Sequence, residues 1–502
     1  MKKIILLILD GFGIREGENG NAIKMANLPN LAKIMSDYPV CELEASGEVV
    51  GLPKGQSGNS EACHMTIGCG RTIEQPLTLI NNKIKDKSFF ENDVLLDLID
   101  FVNDNNSTLH MIGLISSGNV HSSIEHFYAA LALAKIKKVK SVVFHFITDG
   151  RDSLPMSGNK LISDFMAKAN KLGLGTIGTI CGRYYAMDRD DNYKRTNLYY
   201  DLVTRAKGTA IKNIEKALNS CYKIKETDEF IRPLLVNEEG KIKNDDILIW
   251  MNYRADRSKQ ILSALTDPDY SNFNTLKMDN LKVYSFFPVD KNINTISFLE
   301  KPIIKNPLGL YLSELDFTQA RIAESEKFPH VTYFFDGGYK GKINKCNTFE
   351  IPSPNVKTYD LMPEMSAIPV TKKVIECMMQ DYDFILVNFA NPDMVGHTGN
   401  FIAASKACMA VDLCLSKIVE KAEENFYKVI LLADHGNADI MIDENDQPVT
   451  THTLSKVPFI LMDENVKLKD EGDLTMVAPT ILEYMEIALP EEMKETESLI
   501  IK

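Results

Sequence analysis

No Cys-x-x-Cys pair occurs anywhere in the 502 residues, and the nine cysteines are scattered and odd in number. That excludes a zinc knuckle and argues against a disulfide scaffold, leaving a reduced, cytosolic protein as the expectation. Excess positive charge is also missing. With 56 Lys and Arg against 69 Asp and Glu the net charge is −13, which argues against a general nucleic-acid or anionic-membrane surface. There is no fixed-period repeat, no low-complexity linker and no apolar run long enough to span a bilayer. The start, Met1-Lys2-Lys3 before Ile4 to Leu9, imitates a signal peptide. Its apolar run is only six residues, however, and ends in Asp10-Gly11 with no small-residue cleavage site, so a buried strand is the better reading. Arginine is scarce too: 11 residues against 45 lysines.

What is present is ordinary globular composition, 44% hydrophobic and 25% charged, in a chain too long for one core, so two domains are expected. Ile4 to Leu9 reads as a strand buried on both faces, followed by Asp10-Gly11-Phe12-Gly13 where open α/β sheets bind ligands. From about Thr78 to Asp290 strand-then-helix units repeat. The strands are Leu109 to Ile115, Val142 to Ile147, Thr176 to Ile180 and Ile247 to Met251, enough for a complete α/β domain. After a connector near 290–310, strands are expected at Phe317 to Ile322, Phe384 to Asn388, Lys428 to Ala433 and Pro458 to Met462. A helix is expected at Phe401 to Glu424.

Five of the eleven arginines (Arg151, Arg183, Arg189, Arg254 and Arg257) fall in loops after the strands of the central region. A lysine-rich chain that uses arginine there points to planar, bidentate recognition of phosphate or carboxylate. Surface salt bridging to Asp152, Asp188, Asp190 and Asp256 is the plainer alternative. Aspartate and histidine recur at other strand ends: Asp10, Asp393 with His397, Asp434-His435, and His452. Six nitrogen and oxygen ligands exceed one tetrahedral site and suit two ions, with Mn²⁺ or Zn²⁺ fitting imidazole and carboxylate. Ser60, in Gly58-Asn59-Ser60-Glu61-Ala62-Cys63-His64, reads as a helix N-cap. A serine there is also a nucleophile in waiting, because a nearby cation lowers the pKa of its hydroxyl.

Taken in order, these motifs resemble the cofactor-independent phosphoglycerate mutases of the alkaline phosphatase superfamily. The likeness runs through Asp10-Gly11-Phe12-Gly13, Gly58 to Glu61, Val120-His121-Ser122 and Asp149-Gly150-Arg151-Asp152. It continues in the run from Gly182 to Arg189, Tyr253 to Arg257, Glu326 to Thr332, Asn391 to His397, Ala433 to Ala438 and Thr451-His452-Thr453. The resemblance implies an α/β fold with an alkaline-phosphatase-like metal domain assembled from both chain ends, 1–75 and 301–502, and an inserted α/β phosphotransferase domain, 76–300. It implies interconversion of 2-phosphoglycerate and 3-phosphoglycerate through a phosphoserine, without bisphosphoglycerate and with two Mn²⁺ per chain, other divalent metals being possible.

On the same resemblance Ser60 is the nucleophile, one ion is held by Asp393, His397 and His452, and the other by Asp10, Ser60, Asp434 and His435. Substrate contacts fall to His121, Arg151, Asp152, Arg183, Arg189, Arg254, Arg257 and Lys327, with Asp152 and Lys327 also catalytic. The expected partner is the small-molecule substrate alone, for a cytoplasmic monomer that binds neither nucleic acid nor membrane. A metal-dependent phosphatase, a phosphopentomutase or a non-catalytic metal-binding relative are the rival readings. Two departures stand out. Ala62-Cys63 replaces the family's Val-Gly behind the nucleophile, and Ser117-Gly118-Asn119-Val120-His121-Ser122-Ser123 replaces Asp-Gly-Gly-Val-His-Ser-His.

Overall fold

A strand with no polar residue on either face needs cover on both sides. In the computed structural model, which describes residues 2–501, the first strand is Lys3–Leu9. It lies between two parallel neighbours, Phe384–Phe389 and Tyr427–Leu432. Ile4 to Leu9 are at most 1% exposed, and each such side chain contributes about 1.5–3 kcal/mol on burial. The sheet has eight strands in the order Cys346–Ile351, Gln319–Glu324, Phe384–Phe389, Lys3–Leu9, Tyr427–Leu432, Val457–Leu461, Val40–Glu44, Glu471–Asp473. The first five run parallel, so their C-terminal ends share one edge. The helix Phe401–Glu424 packs on this sheet, with Ala404, Ala407, Val411, Leu415 and Ile418 turned inward at helical spacing.

The chain divides into two compact units, one running to Gln75 and resuming at Ile303, the other Pro76–Pro302. The second has its own eight-stranded sheet, in the order Ile296–Ser297, Lys282–Ser285, Ile247–Trp250, Leu109–Ile115, Val142–Thr148, Thr176–Gly182, Leu234–Leu235, Thr209–Ala210. All its pairings are parallel except that of Thr176–Gly182 with Leu234–Leu235. The helices Ile124–Ile136, Gly158–Leu172, Tyr193–Arg205 and Lys259–Thr266 alternate with the central strands. The chain is therefore α/β throughout, with one α/β unit inserted into another.

Two expectations are corrected. The strand read as Phe317 to Ile322 is Gln319–Glu324. It is not uniformly apolar, because Arg321 is fully buried in its middle. The guanidinium lies over the rings of Phe335 and Phe384 and donates to Gln319 Oε1 at 2.7 Å, which makes a buried cation tolerable. Ser60 is not the cap of its helix. The helix is Ser60–Cys69, and the cap is Asn59, whose side chain accepts from the Ala62 N–H at 2.9 Å. Ser60 is thereby the first helical residue, and its hydroxyl is released from capping.

The Ser60 helix packs closely against the segment after Lys327. A Cβ on Gly68 would stand 1.9 Å from the Phe335 carbonyl oxygen. Elsewhere in a helix Gly→Ala stabilises by about 1 kcal/mol. Here Gly68→Ala should instead destabilise by about 1–3 kcal/mol through overpacking, read as a lower midpoint in urea unfolding. A midpoint equal to or above the parent's would show that the approach is not tight.

Candidate active site

Asp10 follows the central strand directly, and its neighbours bring their own polar residues to the same sheet edge. Asn388 lies within the strand Phe384–Phe389, Asp393 on the short helix after it, and Asp434-His435 just beyond Tyr427–Leu432. Asp10, Asp393 and Asp434 are each at most 1% exposed. One ammonium, Lys327, stands among them. Its Nζ is 2.7 Å from Asp10 Oδ1, 2.5 Å from Asp393 Oδ2 and 2.7 Å from Ser60 Oγ. Burial disfavours the Lys327 charge, but Asp10, Asp393 and Asp434 outweigh it and hold the pKa above the ordinary lysine value. Burial, reinforced by Asp434, pushes the Asp10 carboxyl up to about 7 despite Lys327. Burial would also raise Asp393, yet Lys327, His397 and His452 hold it well below the usual carboxylate range.

Ser60 Oγ is 2.9 Å from His435 Nε2 and 3.3 Å from Asp10 Oδ1. Burial keeps His435 neutral, its pKa lowered to about 3 against the pull of Asp434. On the other side of Asp393, His397 Nε2 and His452 Nε2 approach Asp393 Oδ1 at 3.2 and 3.3 Å. Ligand atoms of Asp393, His435 and His452 lie within 4.8 Å of one another, as do those of Asp10, Asp434 and His435. His435 is thus common to both groups, and its ring stacks on His452 with centroids 3.9 Å apart.

Two observations test whether these residues suit metal ions. His397 Nδ1 donates to the Thr450 carbonyl and His452 Nδ1 to the Gly58 carbonyl, each at 2.8 Å. In the neutral imidazoles the lone pair is then on Nε2, and the two Nε2 atoms face each other at 3.0 Å. Two converging lone pairs beside a carboxylate oxygen are repulsive unless a cation lies between them, and a backbone carbonyl on Nδ1 is the usual orienting partner of a ligating imidazole. Secondly, three buried carboxyl groups face one ammonium, and one of them, Asp10, is pushed up to about 7; excess negative charge in a dry site costs several kcal/mol per ion, a cost that divalent cations would remove. The residues therefore fit one or more divalent ions with nitrogen and oxygen ligands.

The second unit gathers the other residues singled out in the sequence. Arg183 is buried, and its Nη1 donates to Asp149 Oδ1 at 2.6 Å and Asp152 Oδ2 at 2.5 Å. Arg189 Nη1 donates to Asp256 Oδ2 at 3.0 Å, and Arg254 Nε is 3.7 Å from Asp256 Oδ1. Arg151 lies 3.7 Å from Glu229. Arg257 Nη1 donates to the Met187 carbonyl at 3.1 Å. Burial, then the charges of Arg189, Arg151 and Arg183, lower the Arg257 pKa, the signature of like charges crowded together. His121 sits between Asp152 and Asp256, 3.9 Å from each, and its buried Nδ1 has no hydrogen-bond partner. Some arginines thus do form the salt bridges of the plainer reading, but they do so within one cationic cluster suited to an anion.

The profile of the metalloenzyme superfamily matches residues 2–489. The chain is 45% identical over 500 residues to a 2,3-bisphosphoglycerate-independent phosphoglycerate mutase of Clostridium kluyveri, with 98% of each chain covered. The chain belongs to that family. A namesake from Staphylococcus saprophyticus is 44% identical over 497 residues, covering 99% of this chain and 98% of that one. A crystal structure of Leishmania mexicana phosphoglycerate mutase, determined at low cobalt concentration, matches with a TM-score of 0.79 at 27% identity, over 100% of this chain and 98% of that one.

Within this phosphoglycerate mutase fold, Lys327, expected from the resemblance to contact substrate and to act in catalysis beside Ser60, lies among the carboxylates of the first unit. Two of the departures from the family pattern have plain local settings. The Cys63 thiol is buried and turned toward the Ala45 carbonyl at 3.6 Å. Asn119 takes a left-handed φ of 53°, which asparagine tolerates. Sequence reasoning missed Asp149, Asn388, Asn437 and His64. Asn437 Nδ2 donates to Asp393 Oδ1 at 2.7 Å, and Asp149 carries Arg183. The signal was available for Asn388, a polar residue at the end of an apolar strand, as for Asp10.

Burial, aided by Arg183 and Arg254 against Asp256 and Asp152, lowers the His121 pKa to about 4. A histidine so held costs stability only below its unfolded value near 6.5, since the unfolded chain then takes a proton that the folded one refuses. The His121 imidazole resonance should titrate near pH 4 in the folded chain, and His121→Gln should flatten the loss of stability between pH 6.5 and 4. A midpoint at or above 6 would contradict this placement.

Proposed function

We propose that the chain interconverts 2-phosphoglycerate and 3-phosphoglycerate without bisphosphoglycerate, passing through a phosphoserine on Ser60 and using two divalent ions, Mn²⁺ first among them. The observation that carries the reading is the company of Ser60 Oγ: Lys327 Nζ at 2.7 Å and His435 Nε2 at 2.9 Å, at a helix N-terminus. The names of the relatives support the substrate, and the cobalt present with the Leishmania enzyme supports a divalent ion. One ion would be held by Asp393, His397 and His452, the other by Asp10, Ser60, Asp434 and His435. Bound there, they would make the serine hydroxyl more acidic and neutralise the transferring phosphoryl group.

The chain's own residues supply the rest. The Ser60 helix turns its first N–H groups and the positive end of its dipole toward an incoming phosphate. Ser60 Oγ gives up its proton and forms the new P–O bond as the bond from phosphorus to the glycerate oxygen breaks, and that proton passes to the departing oxygen. Lys327 balances negative charge on the phosphoryl oxygens. The arginine cluster around His121 holds the glycerate through its carboxylate and hydroxyls, keeping it bound while it reorients. Asp152 then accepts the proton of the other hydroxyl, which attacks the phosphoserine and releases Ser60. The unit to Gln75 and from Ile303 is the phosphatase-like half and Pro76–Pro302 the phosphotransferase half of this scheme. The proposal takes the chain to work as a cytosolic monomer on small molecules alone; among the described residues no helix is long and apolar enough to cross a membrane.

Anaerobic reconstitution with Mn²⁺, followed by coupled turnover of 3-phosphoglycerate without added bisphosphoglycerate, tests the reading. Activity should appear with little free phosphate. Ser60→Ala should lose at least about 10³-fold in kcat, as when a covalent nucleophile is removed, and should no longer trap phosphate on the protein. Near-normal turnover by Ser60→Ala, or release of phosphate as the main product, would sink it.

A further inference from the structure

Two buried residues with no role in the scheme above lie behind Ser60. His64, one turn along the Ser60 helix, and Asn388, in the strand beside Asp10, are both fully buried. Asn388 Nδ2 lies 2.7 Å from Asp10 Oδ2 and 3.1 Å from His64 Nε2. The amide orientation is fixed by charge, since turning it would set Oδ1 against a carboxylate oxygen. Both amide hydrogens are then used, one on Asp10 and one on His64. His64 Nε2 must accept, so the imidazole proton sits on Nδ1. That Nδ1–H donates to the Ser60 carbonyl at 2.9 Å and lies 3.3 Å from Asp434 Oδ2.

We infer that Asn388 and His64 form one directed hydrogen-bond chain that positions Asp10 and Ser60 for the same metal ion. The chain runs from Asp10 through the Asn388 amide and the His64 imidazole to the Ser60 backbone. It holds Asp10 Oδ2 aside and leaves Oδ1 turned to Ser60 Oγ and Lys327. Asp434 Oδ1 is similarly held, by the backbone N–H groups of Gly11 at 3.2 Å and His435 at 3.0 Å. Its Oδ2 is left facing the histidines. Neither Asn388 nor His64 touches the reacting atoms, so each is a positioning residue. Their effect is on the geometry of the ligands before any ion arrives, where an outer partner of a metal ligand is typically worth about 10–100-fold in affinity. The inference rests on the metal reading proposed above, and its first test does not require metal.

Nitrogen-15 spectra of the histidine-labelled, metal-free full chain should show His64 as the Nδ1–H tautomer, assigned by the signal that His64→Asn removes. An Nε2–H tautomer would overturn the chain's direction. Mn²⁺ titration followed by electron paramagnetic resonance should show Asn388→Ala and His64→Ala each binding the ion about 10–100-fold more weakly. The double variant should bind no more weakly than the worse single, because either cut breaks the same chain. His64→Asn, which keeps an N–H in the Nδ1 position but loses the Nε2 acceptor that faces Asn388, should still bind the ion more weakly than the parent, and it serves with Asn388→Ala if His64→Ala does not fold. Unchanged affinity in the single variants, or losses that multiply in the double, would overturn the inference. A parent chain that binds Mn²⁺ and shows the Nδ1–H tautomer yet fails to turn over phosphoglycerate would overturn the proposed function and leave this inference standing.

Discussion

Three carboxylates packed around one ammonium at the end of a buried parallel strand are the constraint on which the first unit depends. Asp10, Asp393 and Asp434 are held within reach of Lys327 although their mutual repulsion opposes it. Only the surrounding burial makes the arrangement possible. Ile4 to Leu9, Phe384 to Phe389 and the strand ending at Leu432 bring the acids to one edge through register, not through any attraction between them. The site is therefore electrostatically strained by construction, and cations relieve the strain. The same strain gives a divalent ion its affinity and gives Lys327 its permanent charge.

The second unit solves the opposite problem with the same architecture. Its parallel strands also end in polar loops, but these gather guanidinium groups. Asp149, Asp152 and Asp256 keep the cluster from flying apart, at the expense of partly occupying the arginines they hold. His121 stays neutral in the middle, with an unpartnered nitrogen. An acidic centre and an arginine cluster thus stand on separate sheets, the first wholly buried, the second with Arg183 buried and Arg151, Arg189 and Arg254 partly exposed.

Much of this is legible in the sequence alone. A run as short and apolar as Ile4 to Leu9 fits a buried strand better than a helix, and polar residues directly after parallel strands share an edge. The edge strands were not legible. Cys346–Ile351 carries exposed and half-buried residues in no apolar run, and its pairing comes from the neighbour Gln319–Glu324. Arg321 blurred that neighbour in turn, since a buried guanidinium has no signature in hydropathy. The cap at Asn59 instead of Ser60 escaped for a related reason, because adjacent Asn and Ser are both good caps and only the backbone turn decides which is used.

Ser60 shows where the division falls. The sequence by itself determined that a serine would begin a helix after a turn, that acids and histidines would stand at strand ends, and that arginine would collect in the loops of the inserted region. Periodicity and composition act locally, so they are readable locally. Only the tertiary structure decided that Lys327 belongs with the carboxylates, that His435 is common to both ligand groups, and that Asn388 and His64 tie Asp10 to Ser60. Among those contacts, Asn388 and Asp10 are 378 positions apart. Such contacts depend on strand register and side-chain direction, which no local pattern encodes.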